Sequence, residues 1–164
     1  EGSCSIPGYY LLANRGSKGY PRNQLIFAQG PFWKDQANTP LSTAFLGSNS
    51  DSNTFSGVSG MTYAPKSDRL LLTVSTEDTR NTMDDGAIGK SYLWIIWNIS
   101  TKKRWKAINP DQVIDLDALD SRFKGQKIES VCLLEESGKF LHLLLVADND
   151  NGSSTLFKMV VSKD

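Results

Sequence analysis

The sequence contains few of the residues on which metal, redox or nucleophilic sites are usually built. It has two cysteines and one histidine in 164 residues. Cys4 and Cys132 stand outside any Cys-x-x-Cys or Cys/His cluster, which argues against a zinc site and a disulfide framework. We therefore expect two free thiols. His142 lies inside the apolar segment FLHLLLV without a serine motif beside it, so we expect a strand histidine and not a catalytic base.

The sequence also lacks an excess of charge and any long apolar run. Lys+Arg and Asp+Glu both number 18, so the formal net charge is zero and no long-range field attracts nucleic acid or an anionic membrane. The four tryptophans do not alternate with basic residues, as they would in a platform that stacks bases. No run approaches the roughly 18 apolar residues of a membrane span. We expect neither a nucleic-acid partner nor a membrane span.

The length of the chain favours a single domain, residues 1–164. The chain opens at Glu1 without an initiator Met or a signal-peptide pattern, so we expect a processed chain or a fragment. The two cysteines leave the redox compartment open. A periplasmic or extracellular location is preferred to a cytoplasmic one.

Short segments rich in β-branched and aromatic residues predict an all-β protein. The predicted strands are 8–14, 23–29, 60–65, 68–76, 91–100, 103–108, 128–136, 139–147 and 154–162. Continuous apolar runs such as Leu70–Val74 and Leu143–Val146 are typical of strands covered on both faces. The one helix candidate is 109–123, with Asp111 as its cap and one or two turns as its extent.

Three parts of the chain resemble one another. VSGMTYAPKSDRLLLTVSTED…KSYLWIIWNIS and IESVCLLEESGKFLHLLLVADND…SSTLFKMVVS both contain a strand, a tight polar turn, a long apolar strand, an acidic loop and a further strand. GYYLLANRGSKGYPRNQLIFAQ contains the last three of these elements. Three self-similar sheet units predict propeller-like antiparallel blades. An ordinary β-sandwich with meander connections is the alternative.

Three units are too few for a closed propeller, which has at least four blades. We therefore expect either a homo-oligomer or a longer chain that supplies the remainder of the ring. In both cases the end units would present bare apolar faces. The residues predicted on these faces are Leu11, Leu12 and Ile26 at one end and Leu143, Leu145, Phe157 and Val160 at the other.

The segment SGMTYAPKSDRLLLTVSTEDTRNTMDDGAIGKS resembles a stretch of uncharacterised bacterial propeller-like proteins that are related to esterase-like phytase domains. The matching positions are Ser75, Glu77, Asp78, Thr79, Asp84, Asp85, Gly86, Gly89 and Ser91. LLANRGSKG (11–19) is similar to the family's Asn-Arg-Gly segment, and VADNDNGSSTLFKM is similar to its closing blade. The insert 31–55 departs from the family pattern. The resemblance implies a propeller-like fold and supplies no established reaction.

In all three units a polar loop follows the longest apolar strand, so equivalent blades would present these loops on one face. We expect the ligand-binding site there. Its predicted residues are Asn14, Arg15, Glu77, Asp78, Asp148 and Asp150. The leading functional hypothesis is the binding of a small-molecule or protein ligand on this acidic face.

The carboxylates of the longest loop allow a second hypothesis. Glu77, Asp78, Asp84 and Asp85 offer the oxygen ligands that Ca²⁺ prefers, so calcium is the candidate cofactor. If burial separated the pKa values of two of these carboxyl groups, they could act as the acid and the base of a metal-assisted hydrolase of phosphate or carboxylic esters.

The same loops can also be explained without a metal site. The loop acids are also explained as solvated groups, and Asn151–Gly152 suits a tight hairpin turn. Arg15, Lys18 and Arg22 would suit anion capture or simply remain solvated.

The calcium hypothesis makes a thermal prediction. Calcium that binds only the native state raises the melting temperature once its free concentration exceeds the dissociation constant. We expect millimolar calcium to raise the melting temperature above that of a chelator control. In the hydrolase hypothesis Asp84→Asn/Asp85→Asn should abolish activity, whereas in the binding hypothesis it should only alter the affinity. A melting curve that calcium leaves unchanged in the original sequence would contradict the site.

Overall fold

The computed structural model describes residues 1–17, 19–30, 32–47, 55–78, 87–104, 106–149 and 152–164. Strands account for most of these ranges, so the all-β prediction is confirmed. They are β1 (Ser3–Ile6), β2 (Tyr9–Asn14), β3 (Asn23–Gln29), β4 (Leu41–Leu46), β5 (Ser56–Ala64), β6 (Arg69–Asp78), β7 (Ala87–Trp97), β8 (Gln112–Asp115), β9 (Ile128–Glu136), β10 (Phe140–Asp148) and β11 (Ser154–Ser162). One α-helix in these ranges, α1, spans Leu116–Leu119, and short 3-10 turns span Ile99–Thr101 and Ser121–Phe123.

The strands form three antiparallel sheets, and each sheet is a meander of strands that follow one another along the chain. The first sheet has the order β1-β2-β3-β4, the middle sheet β5-β6-β7-β8, and the third sheet β11-β10-β9. The three similar segments of the sequence therefore each form a sheet. The first sheet also gains β1 and β4, which the sequence pattern did not predict.

The middle sheet is buried on both faces because the other two sheets pack against it. Leu70, Leu72 and Val74 of β6 belong to the core shared with the first sheet. Leu71 belongs to the core shared with the third sheet, as do Leu93 and Ile95 of β7. Since successive side chains of a strand point to opposite faces, the unbroken apolar run of β6 fills both cores. The prediction of a strand covered on both faces is confirmed here.

The first strands of the three sheets lie side by side. β5 contacts β1 and β2 on one side and β9 on the other. A bulge leaves Ser59 out of the backbone pairing with β6. Its hydroxyl lies 3.0 Å from Thr73 Oγ1 of β6 and donates a hydrogen bond to the Ile128 carbonyl at 2.7 Å. This bond ties the buried edge of the middle sheet directly to the first residue of β9.

The helix predicted for 109–123 is wrong in its first half. Residues Gln112–Asp115 form β8, which pairs with β7. The helix α1 begins only after Asp115, whose Oδ1 accepts a hydrogen bond from the Ala118 amide at 3.0 Å. Asp111 caps no helix, because its Oδ2 accepts from the Trp97 amide at 2.7 Å. In the described part of the chain, no helix has the length and apolar character needed to cross a membrane.

The strand predicted for 103–108 is also wrong. Of the described residues in this segment, only Ile108 makes a bridge, to Leu46 of the first sheet. Arg104 instead reaches the first sheet, where its Nη1 donates to the Tyr9 hydroxyl at 2.6 Å and its guanidinium lies 3.6 Å from the Tyr9 ring centroid. The attraction between the guanidinium and the ring face stabilises this packed position of Arg104.

The residues predicted for the bare end faces come from both faces of their sheets. Leu11, Leu143, Leu145 and Phe157 lie inside the two cores, so placing them on bare faces was wrong. Leu12, Ile26 and Val160 are on the outward faces, half-buried or exposed. The alternation of side chains along a strand explains the error, because neighbouring apolar residues must point in opposite directions.

Both cysteines are free thiols, as expected. Cys4 is half-buried beside Met61, with 3.6 Å between the two sulfur atoms. Burial raises the pKa of the Cys4 thiol to about 12, which leaves it a packing group and not a nucleophile at neutral pH.

The close approach of β5 to β9 depends on Gly60. A Cβ at this position would lie 2.8 Å from the Glu129 carbonyl oxygen and 2.9 Å from the Ser130 Cα. Both obstacles are backbone atoms, so we expect Gly60→Ala to lower the free energy of unfolding by about 1–3 kcal/mol through overpacking. Urea denaturation measures the change. Gly138→Ala is the control, since no atom lies within 4 Å of its added Cβ; equal stability of the two variants would contradict this packing.

Candidate functional site

The residues predicted to form the ligand site lie at equivalent positions of the three sheets. Asn14 is the last residue of β2, Asp78 the last of β6 and Asp148 the last of β10. Each of these strands is the second strand of its sheet in chain order. We call this edge, where the second strands end, the loop end of the sheets.

Several of the predicted carboxylates lie outside the described residues. Asp84, Asp85 and Asp150 are not among the described residues, and only the backbone of Glu77 and Asp78 is described, paired with Ile88 and Ala87. In the ranges that are described, no three His, Cys, Asp or Glu side chains come together as metal ligands. The calcium site and the ester hydrolase that depends on it therefore stay predictions.

Arg15 reaches from the first sheet onto the middle sheet. A Cβ at Gly57 would lie 2.3 Å from Arg15 Nε, so the arginine side chain fills the space that a larger residue in β5 would need. Its Nη1 lies 3.3 Å from Glu1 Oε2. Arg15 thus contacts two sheets at the loop end, and glycine at position 57 makes that contact sterically feasible.

The third sheet adds a second pair of charges next to this arginine. Lys127 Nζ lies 3.4 Å from Glu129 Oε1. Burial raises the pKa of Glu129, while the positive charges of Lys127 and Arg15 act in the opposite direction. β5 separates the two pairs, since it contacts β1 and β2 of the first sheet and β9 of the third. Glu1, Arg15, Lys127 and Glu129 are hereafter the loop-end charge cluster.

Asn23, which the sequence reasoning did not single out, holds the first and middle sheets together at the loop end. Its Oδ1 accepts hydrogen bonds from the Gly16 and Val58 amides, both at 3.2 Å. Its Nδ2 donates to the Ser56 carbonyl at 2.7 Å. The buried carboxamide therefore fixes the turn after β2 against the start of β5, and with it the position of Arg15.

A similar amide anchors the third sheet. Asn149 Oδ1 accepts from the Lys127 amide, and its Nδ2 donates to Gln126 Oε1, each at 3.0 Å. Ser91 of β7 donates through its hydroxyl to the Gln126 carbonyl at 2.9 Å. The segment that carries Lys127 is thus held by Asn149 of the third sheet and by Ser91 of the middle sheet. Asn149, the residue after Asp148, therefore has a structural role.

An aromatic groove opens between the first and middle sheets. It has a volume of 260 Å³, and its lining residues are Gly47, Ser56, Tyr92, Trp94, Pro110 and Val113. Gly47 has φ +80° and would place a Cβ 2.8 Å from Trp94 Cη2, so this glycine makes room for the indole. The spacing of two between Tyr92 and Trp94 in a predicted strand was the available signal, because it puts both rings on one face.

The groove and the loop-end charge cluster are linked through two consecutive residues of β5. Ser56 lines the groove, and Gly57 contacts Arg15. A ligand at the loop end would therefore meet aromatic surface on one side of β5 and charged groups on the other. His142 lies six residues from Asp148 along β10, about 20 Å at ~3.3 Å per residue, so it is remote from this site.

The role of Asn23 gives a stability prediction. Asn23→Ala leaves two amides and one carbonyl without their partner, and each unsatisfied buried polar group costs about 1–3 kcal/mol. We expect the unfolding free energy to fall by at least that amount in urea denaturation. Asn38→Ala is the matched control, because exposed Asn38 bonds only Asp35 within its own turn. Equal denaturation midpoints for the two variants would contradict the anchoring role of Asn23.

Comparison with known proteins places the chain in a family without naming an activity. No curated protein and no solved structure matches it. One family model matches residues 1–152, which include all three sheets except the last strand. The chain therefore belongs to the family of unknown function DUF6910.

Proposed function

We propose that this chain is a propeller-like ligand-binding module whose site is the aromatic groove at the loop end. The observation that carries the proposal is the 260 Å³ groove formed by Tyr92, Trp94, Pro110 and Val113. Ligand pockets in proteins are concave, mostly apolar and equipped with a few polar groups. The groove matches that description, with Ser56 as a polar group.

The sheet arrangement supports the propeller-like part of the proposal. Three consecutive antiparallel meanders follow one another along the chain, as blades do. Their first strands, β1, β5 and β9, lie next to each other, which corresponds to the strands nearest the axis of a ring. The edge to which Arg15 and Glu129 belong would then be the mouth of the central channel.

The lining of the groove selects the class of ligand. Indole and phenol rings offer flat apolar surface with a polar atom at the rim. The volume lies just below the ~300 Å³ at which drug-sized pockets begin, so the groove suits a single ring system. We infer a small ring-containing ligand that lies against Trp94, with a polar substituent directed to the loop end.

A lysine at the groove mouth tests the proposal. Val113 is 52% exposed and lines the groove, so Val113→Lys places a flexible charged chain across apolar surface without emptying the core. Glucose, adenosine and indole serve as probes of three ring chemistries. We expect at least one of them to shift the Trp94 indole N–H signal in a proton–nitrogen correlation spectrum, and Val113→Lys to weaken that binding at least tenfold.

Leu119→Lys is the matched control for this experiment. Leu119 is 57% exposed on α1 and does not line the groove, so this variant should bind the probe as the original chain does. If none of the three probes perturbs Trp94, or if both lysine variants bind equally well, the groove is not the ligand site.

A further inference from the structure

The outer face of the third sheet is apolar although no other sheet of the described structure covers it. Leu144 pairs with Cys132 and Lys158 across the sheet, and Val146 pairs with Leu156. These side chains alternate with the residues of the inner core, so they point outward. Leu156 is 60% exposed. Lys158 and Glu135 add one charge of each sign to this face, and His142, which pairs with Glu135 and Val160, also points outward.

The outer face of the first sheet has the same character. Leu12 pairs with Ile26, and Tyr10 pairs through Ala28 with Leu41. Leu41 is 58% exposed. Beside Tyr10, the loop after β3 adds two aromatic rings: Phe32 is stacked on it at 6.3 Å between centroids, and Trp33 meets it edge-on at 5.1 Å. Apolar patches of this extent are uncommon on soluble monomers and mark interaction surfaces.

The chain already contains two junctions in which one sheet packs face to face on the next. The two outer faces would form a third junction of the same kind if they met. The first sheet packs its inner face on the middle sheet, and the middle sheet packs its opposite face on the third. Continuing the stack in the same direction would bring the outer face of a third sheet against the outer face of a first sheet. A contact between two different surfaces is heterologous, and it closes only when the rotation per subunit divides a full turn.

We propose that a second copy of this chain covers both faces, so that two chains form a closed ring of six sheets. The third sheet of each protomer packs on the first sheet of its partner, and the two contacts are related by a two-fold axis. The inference concerns the end faces alone and does not depend on the ligand groove.

The expected size of the interface favours a stable dimer. The strands β9, β10 and β11 have nine residues each, which gives a sheet about 31 Å long and about 14 Å wide at ~3.4 Å per residue and ~4.8 Å per strand. One face therefore covers about 430 Å². The first sheet has shorter strands of four, six, seven and six residues, and one of its faces covers about 380 Å² by the same geometry. Two junctions cover two faces of each kind, about 1,600 Å² in total, which is within the ~1,600 ± 400 Å² of a standard stable interface.

The mass of the chain in solution tests the proposal first. The monomer is 18.1 kDa, so we expect light scattering at micromolar concentration to give twice that mass. Leu156→Lys on the third sheet and Leu41→Lys on the first sheet should each give a monomer, since each disrupts both junctions of a symmetric dimer. Leu119→Lys, an equally exposed leucine on α1, should remain dimeric, and near-ultraviolet circular dichroism checks that all three variants are folded.

Mixing the two face variants tests the head-to-tail arrangement. A mixed dimer of Leu156→Lys with Leu41→Lys has one junction with both substitutions and one junction with neither. We therefore expect the mixture to regain part of the dimer that each variant alone has lost. Dimers of either variant alone would overturn the proposal in favour of a contact between identical faces. A monomeric original chain at high micromolar concentration, or an open series of higher oligomers, would also overturn it.

Discussion

The burial of the middle sheet on both faces is the constraint on which the rest of the structure depends. Leu70, Leu71, Leu72, Thr73 and Val74 are consecutive and fully buried. A strand of this kind is stable only when another layer covers each side of its sheet, because the apolar side chains of the exposed face would otherwise stay in water. The first and third sheets supply these layers, and the order of the three sheets follows from this requirement.

The same stacking brings the candidate functional groups together. Sheets stacked through their first strands place the ends of β2, β6 and β10 at one edge, where Arg15 of the first sheet lies against Gly57 of the middle sheet. Buried amides then fix this edge. Asn23 connects the first and middle sheets, and Asn149 holds the segment that precedes β9. The loop end is therefore a rigid frame, as a binding site on connecting segments requires.

Apolar patterning predicted most of the fold. The bounds of β3, β9 and β11 agree with the segments 23–29, 128–136 and 154–162, because each combines dense apolar residues with clear polar flanks. The strand β8 was missed, because the aspartates around Val113 and Ile114 suit a helix start as well as an edge strand. Pairing with β7 decided between the two. The basic segment at 103–108 has apolar and aromatic residues in a strand-like pattern, yet Arg104 packs on the Tyr9 ring and bonds its hydroxyl, contacts that no local pattern indicates.

The candidate site was less accessible to sequence reasoning than the fold. Equivalent loops could be predicted from the repeat, since the ends of similar strands recur at similar places. The groove could not, because it joins Gly47 of the first sheet to Trp94 of the middle sheet, and no local pattern records that contact. Asn23 was missed for the same reason: an asparagine at the start of a strand usually indicates a turn, and two of its three partners, Ser56 and Val58, lie 33 and 35 residues away.

Amide hydrogen exchange tests the central position of the middle sheet most directly. β6 is paired on both edges, with β5 and β7, and its sheet is covered on both faces. Its amides should exchange only through global unfolding and should be the slowest of the chain. The account predicts that protection in β6 equals the free energy of unfolding and exceeds that of β2 and β10. Faster exchange in β6 than in β2 and β10 would contradict it.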